Sequence, residues 1–166
     1  MDESGAKTNL TRLRGRAQRG QRVHAKTPQA YWQTTTMIGA LRLDGSTACM
    51  ALEGPTDAEV FRAYIEQVLA PKLQEGDVVI MDNLSPHKSE LTLSLIRQTG
   101  AQVLFLPAYS PDLNPIEKMW SKVKNFLRSA EARTQVALTE AIGAALATVT
   151  PQDAMNWFGS CGYSFI

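Results

Sequence analysis

Residues 103–128 read VLFLPAYSPDLNPIEKMWSKVKNFLR. Val103, Leu104, Phe105 and Leu106 make a short apolar run, the pattern of a strand buried on both faces. Pro107, Pro111 and Pro115 then interrupt regular structure, and Pro115 suits the first position of a helix, where its missing N–H leaves no bond unmade. Asn114 falls at the N-cap and Glu117 three residues later, the layout of a capping box. Ile116, Met119, Trp120, Val123, Phe126 and Leu127 recur at helical spacing as one apolar face, with Glu117, Ser121, Lys124 and Arg128 in a polar stripe beside it. A strand handing over to a helix through such a loop is the repeating unit of an α/β fold.

Taken alone, Glu117 is accounted for as a cap. A second stretch gives it company: Gly76 to His87, GDVVIMDNLSPH, is a turn, an apolar strand and an aspartate where that strand ends. Asp82 therefore sits at the carboxyl end of a strand, where open α/β sheets place their chemistry. Thirty-four residues separate Asp82 from Glu117, and a third carboxylate, Asp2, lies at the start of the sequence. Asn83 and His87 follow Asp82 closely; they either shape the turn and the next helix N-terminus or orient Asp82 and a substrate phosphate.

Composition narrows the classes. A chain of 166 residues, 44% hydrophobic and 20% charged, is one ordinary domain with room for a single core. No apolar stretch approaches membrane-spanning length and the N-terminus is polar, so no anchor or signal peptide is expected. Cys49 and Cys161 stand far apart without a CxxC, which argues against zinc or a disulfide framework and for reduced, buried thiols. His24 and His87 are the only histidines, too few for a zinc site. Neither a Ser/His/Asp arrangement nor a glycine-rich phosphate loop is present, which removes the serine hydrolase and NTPase readings.

The net charge of +1 hides an asymmetry. No acid occurs between Glu3 and Asp44, an interval that carries Lys7, Arg12, Arg14, Arg16, Arg19, Arg22, Lys26 and Arg42. Dense cations among Gly, Gln and Thr read as a loop or hairpin facing phosphates, or as a solvated basic surface. Along the rest, Tyr31–Leu43 and Ser46–Leu52 form a hairpin about Asp44-Gly45, with Trp32 half buried in its strand or stacking on a base. Thr56 with Glu59 caps a helix that ends at Pro71, Ser85-Pro86 opens another that Gly100 closes, and Thr134 and Thr150 cap two more.

DNLSPHK followed by LPAYSPDLNPIEKMWSKVK resembles the catalytic core of DDE transposases, in the bacterial insertion-sequence branch of the mariner-like superfamily. The opening MDESGAKTNLTRLRGRAQRGQR and the closing NWFGSCGY resemble the two ends of that core, so the likeness runs along essentially all of residues 1–166. It implies a ribonuclease H-like mixed sheet flanked by helices. Its catalytic and metal-binding residues would be Asp2, Asp82 and Glu117, with Asn83, His87 and Asn114 supporting them. DNA phosphates would be met by Arg12, Arg14, Arg16, Arg19 and Arg22, and by Lys124 and Arg128 along the helix of Glu117. Lys118 and Lys122 read as solvated charges.

The implied activity is hydrolysis of phosphodiester bonds at transposon ends and joining of the freed 3′-hydroxyl to target DNA, at a TA-containing site, by a homodimer acting at the bacterial nucleoid in the cytoplasm. Three carboxylates within ~4–5 Å repel by ~3–4 kcal/mol per pair at an effective dielectric of ~20, and a cation relieves that. All-oxygen ligands favour Mg2+ or Mn2+, and two such ions ~3.5–4 Å apart can clamp the attacking and leaving oxygens. Because Asp2 follows Met1 directly, the first strand is expected to be truncated, at a cost of roughly 6–15 kcal/mol in lost apolar burial, and the family's N-terminal helix-turn-helix to be missing. That leaves a second reading, a catalytically silent remnant that binds DNA or a full-length transposase.

Overall fold

The computed structural model describes residues 1–29, 31–83 and 85–164, and the side chains of these except Ser85 and Pro86. Leu84 of the DNLSPHK motif lies outside the described residues. In chain order come β1 (Asp2–Lys7), β2 (Thr34–Leu41), β3 (Thr47–Glu53), α1 (Ala58–Tyr64), β4 (Val78–Met81), α2 (Glu90–Arg97), β5 (Gln102–Phe105), α3 (Pro115–Ala130), α4 (Gln135–Leu146) and α5 (Pro151–Ser160).

The first three strands make an antiparallel sheet in the order β1-β2-β3, and β4 pairs with β5 in parallel. The register sets Asp2 opposite Gly39, and Gly39 opposite Cys49. The two sheets meet where the Met1 main-chain nitrogen donates to the Ile80 carbonyl at 2.5 Å. They meet again where Arg42, just past β2, places its Nη1 2.8 Å from Oδ1 of Asp77, just before β4. Strand alternation then sorts the core into two layers. Ile38 points into a cluster with Phe61, Tyr64, Leu69, Met81 and Ile96 under α1 and α2. Its neighbour Met37 points the other way, into a cluster with Ile116, Trp120, Val123, Leu138 and Ile142 under α3 and α4.

Several sequence expectations change here. DESGAK, where the first strand was expected to be truncated, is a strand of six residues; its only apolar residue is Ala6, so its strand character comes from pairing with β2 rather than from its own pattern. The Val103–Phe105 run is not buried on both faces: β5 pairs with β4 on one side, and Leu104 is 51% exposed. The α1 cap is Asp57, whose carboxylate accepts from the N–H groups of Glu59 and Val60, in place of Thr56. A 3-10 turn, Ser85–Lys88, precedes α2, whose N-cap is Ser89. Phe126 is 36% exposed and leaves the apolar face of α3 to Ile116, Met119, Trp120, Val123 and Leu127. Around Asp44-Gly45, at Thr134 and at Thr150 with its capping box to Asp153, the expectations hold.

At Gly39 the Trp120 ring of α3 lies close against β2. A Cβ built there would lie 2.7 Å from Cys49 Sγ and 2.8 Å from Trp120 Cη2, and Trp120 is 1% exposed. Gly5, in β1, has open space around the same position. Gly39→Ala should therefore cost ~1–3 kcal/mol by overpacking, a fall in Tm of roughly 2–10 °C. Gly5→Ala should leave Tm within about 2 °C, and equal effects of the two in thermal unfolding would show that the contact does not limit the approach.

Candidate active site

Three elements deliver the three acids. Asp2 opens β1 and is 8% exposed; Asp82 directly follows β4; Glu117 is the third residue of α3. All three line one cavity of about 310 Å3, walled also by Asn83, Asn114 and residues 107–111 of the β5–α3 loop. Asn114 is buried at 4% exposure, and its side chain makes no cap bond; the expected capping box is absent. Its carbonyl instead accepts from the Glu117 N–H at 3.2 Å, and the Glu117 side chain stays exposed. Among the described residues, no three of His, Cys, Asp or Glu stand close enough together to hold an ion as they are. The carboxylates share a cavity without forming a closed ligand set.

Burial, followed by the negative charge of Glu117, pushes the Asp2 carboxyl up to about 7 from its ordinary 3.8. A hydrogen bond from the Glu3 backbone pulls the other way and does not offset them. A carboxylate made this uncomfortable by a second acid is a chemical fit for an oxygen-seeking cation between them.

His87 resolves its two readings towards Asp82. The ring is 1% exposed and stacks on Phe61 at 4.4 Å between centroids. Nδ1 stands 2.6 Å from Asp82 Oδ1, although the ring N–H is off the hydrogen-bonding line, and Nε2 lies 3.1 Å from Glu3 Oε1 in good alignment. Burial pushes the imidazole down, but Glu3 and Asp82 together carry it above its usual value. Glu3 had no signal in the sequence. Only once β1 is a strand does residue 3 turn to the face opposite Asp2, where His87 waits.

The basic stretch forms an arm without a strand ladder, rooted where the Thr8 N–H donates to the Gln33 carbonyl at 3.1 Å. Arg133, unnoticed in the sequence, pins that root by donating to the carbonyls of Thr8 and Leu10 at 3.1 and 2.7 Å. Arg12, Arg14 and Arg128 line one hollow with Asn125 and Ser129, which brings the arm and the end of α3 together. Arg16, Arg19 and Arg22 are exposed, and Lys124 is half-buried. Lys122 is no solvated charge: its Nζ donates to the Thr148 carbonyl at 2.7 Å and to Asp153 Oδ2 at 2.6 Å. Trp32 is 49% exposed with Lys7 Nζ 5.5 Å from its ring centre. No helix among the described residues is long and apolar enough to cross a membrane.

A strand-end aspartate, a helix-start glutamate and a β1 aspartate around one cavity define a class, and residues 1–139 match the family model for DDE superfamily endonucleases. The chain belongs to that family. It is similar to the Tcb1 transposable element transposase of Caenorhabditis briggsae, with 31% identity over 83 residues, which cover 48% of this chain and 30% of that protein. Among solved structures, the Mos1 transposase paired-end complex with left transposon end superposes at a TM-score of 0.70 and 16% identity, over 95% of this chain and 50% of that one. The Mos1 mariner paired end complex with Mn does so at 0.65 and 16%, over the same shares. The chain thus spans half or less of the proteins it resembles, and at such identity the structural likeness speaks for the fold: the expected ribonuclease H-like mixed α/β architecture.

The Asp2 shift has a sign. A carboxyl raised in the folded state contributes stability that is full below about pH 4 and is lost as pH rises through about 7. Without added metal, Tm should therefore fall between about pH 4 and 7, and Asp2→Asn should flatten that fall. An unchanged slope in the variant, followed by calorimetry across that range, would place the titration elsewhere.

Proposed function

We propose that this chain is the catalytic domain of a transposase, hydrolysing phosphodiester bonds at transposon ends and joining the 3′-hydroxyl to target DNA. The observation that carries the reading is the convergence of Asp2, Asp82 and Glu117 on one cavity in a member of the DDE endonuclease family. The three carboxylates would hold divalent cations, Mg2+ or Mn2+ and two of them, with the Asp2–Glu117 repulsion as the reason a cation is welcome there. Such ions polarise a phosphate oxygen and lower the pKa of a bound water. Asp82 is held in place by His87 and, behind it, Glu3. The arm arginines, with Lys124 and Arg128, would engage phosphates along the duplex, and Asn83 and Asn114 would shape the cavity wall. Residues 1–166 act as one catalytic unit, working as a homodimer on two transposon ends at the bacterial nucleoid.

A second reading is a catalytically silent chain that binds DNA or a full-length transposase. One titration separates the two. Labelled duplex DNA is added at several salt concentrations to wild type, to a variant with Arg12, Arg14 and Arg16 replaced by Ala, and to Asp82→Ala, with and without Mn2+. Each phosphate contact contributes a slope of roughly 0.9 in log K against log salt, so the triple variant should lose about two to three units of slope. Asp82→Ala should keep the slope and lose all Mn2+-dependent nicking. Nicking unaffected by Asp82→Ala would end the catalytic assignment, and an unchanged slope in the triple variant would end the role of the arm.

A further inference from the structure

We propose that the channel between β2 and β4 is a receptor for an extended apolar peptide of about four residues, supplied by another polypeptide and taken up as a strand parallel to β4. The inference stands apart from the carboxylate chemistry. A second cavity, of about 270 Å3, runs between the end of β2, at Ala40 to Leu43, and the start of β4, at Val78 to Ile80. Arg42 and Asp77 line it too, and their ion pair ties the two strands across the same gap. Both faces of the channel are apolar. Leu69 and Val79 reach it from the cluster under α1 and α2, Leu41 and Ile116 from the cluster under α3 and α4. A strand lying there would be covered on both faces, which calls for consecutive apolar side chains rather than alternating ones.

Backbone groups face the channel from both sides. The Asp77 and Met81 carbonyls accept from the Gln102 and Leu106 N–H groups on the β5 side, each at 2.8 Å. Alternate residues of a strand serve opposite neighbours, so Val78 and Ile80 turn their N–H and C=O groups to the channel. The Ile80 carbonyl already takes the Met1 main-chain nitrogen there, which is the first rung of such a ladder. In β2 the Arg42 N–H donates to the Ser46 carbonyl at 2.9 Å on the β3 side, which turns the groups of Leu41 to the channel. Among the described residues β4 has a strand neighbour only in β5, and the β1–β2 pairing ends where Asp2 faces Gly39. A peptide on the line of β1 would continue that register opposite Leu41 and then Val78, and four residues span ~13 Å. The strand-forming apolar runs of residues 1–166, Cys49–Leu52, Val78–Met81 and Val103–Leu106, already belong to the ladders of β3, β4 and β5, so the occupant is taken from another chain. Asn114 lines both this channel and the carboxylate cavity, so an occupant would pack against a wall of the acids.

The probe is a fluorescein-labelled peptide of four consecutive valine and isoleucine residues flanked by lysines. Wild type should bind it saturably in fluorescence anisotropy, gain Tm as peptide is added, and show slowed hydrogen exchange at Leu41, Val78 and Ile80. The same peptide with proline at its third apolar position lacks a ladder N–H and should bind about tenfold more weakly. Val78→Lys charges the channel wall at a residue that is 53% exposed, so Tm should stay within about 2 °C of wild type while peptide affinity falls about tenfold. Equal binding of the proline peptide overturns the proposal, because the peptide is then held by an apolar surface and not by a strand edge. Unchanged affinity in Val78→Lys does the same, as does protection confined to Gln102–Phe105, which would move the docking to the outer edge of β5. Absence of saturable binding by wild type ends it outright.

Discussion

The packing of α3 on the sheet depends on a bare backbone at Gly39. Gly39 presents no side chain, so Trp120 lies against β2 where any Cβ would collide with it. Gly39 is also the register partner of Asp2, and Trp120 sits one helical turn after Glu117. The same contact that packs the core thereby sets how far the glutamate of α3 stands from the aspartate of β1. Neither acid has to reach for the other; the backbone separation is fixed by aromatic packing beneath them. Trp120, Met119, Val123 and Leu127 are all buried, which keeps the helix from rolling about its axis and turning Glu117 away.

Electrostatics then works against that packing. Asp2 is nearly buried with Glu117 as a like charge, and its carboxyl resists ionisation as a result. Asp82 is treated differently: it is partly exposed and has the His87 imidazole against it, with Glu3 behind the ring. One acid has an imidazole against it and two are left in tension. The uneven treatment leaves the repulsion of the cavity concentrated between Asp2 and Glu117.

How much of this was legible in the sequence depends on where each residue's signal resides. Asp82 and Glu117 were readable because each is marked by its own neighbourhood, an apolar run ending at Asp82 and a proline-started amphipathic helix opening before Glu117. β1 was not, since Asp2–Lys7 has neither apolar alternation nor β-branched residues and owes its conformation to β2 alone. Glu3 and Arg133 were invisible for the same reason: their partners, His87 and the carbonyls of Thr8 and Leu10, are 84 residues away in one case and more than 120 in the other. The capping box at Asn114 failed for a different one. The motif fits the local chain, but Asn114 is drawn into the cavity wall and buried, and the tertiary environment decides what its side chain does.

The cavity draws on the second residue of the chain, the residues that follow β4 and β5 and the start of a late helix, and β4 and β5 are a parallel pair that needs a long crossover to form. Contacts of such sequence separation are made late in folding, because the chain must surrender loop entropy before they give anything back. No hairpin or helical pair of this domain holds even two of the three acids by itself. A chain emerging from the ribosome therefore has the basic arm before it has the cavity that Asp2, Asp82 and Glu117 share. The carboxylate cavity comes into being only with the complete fold.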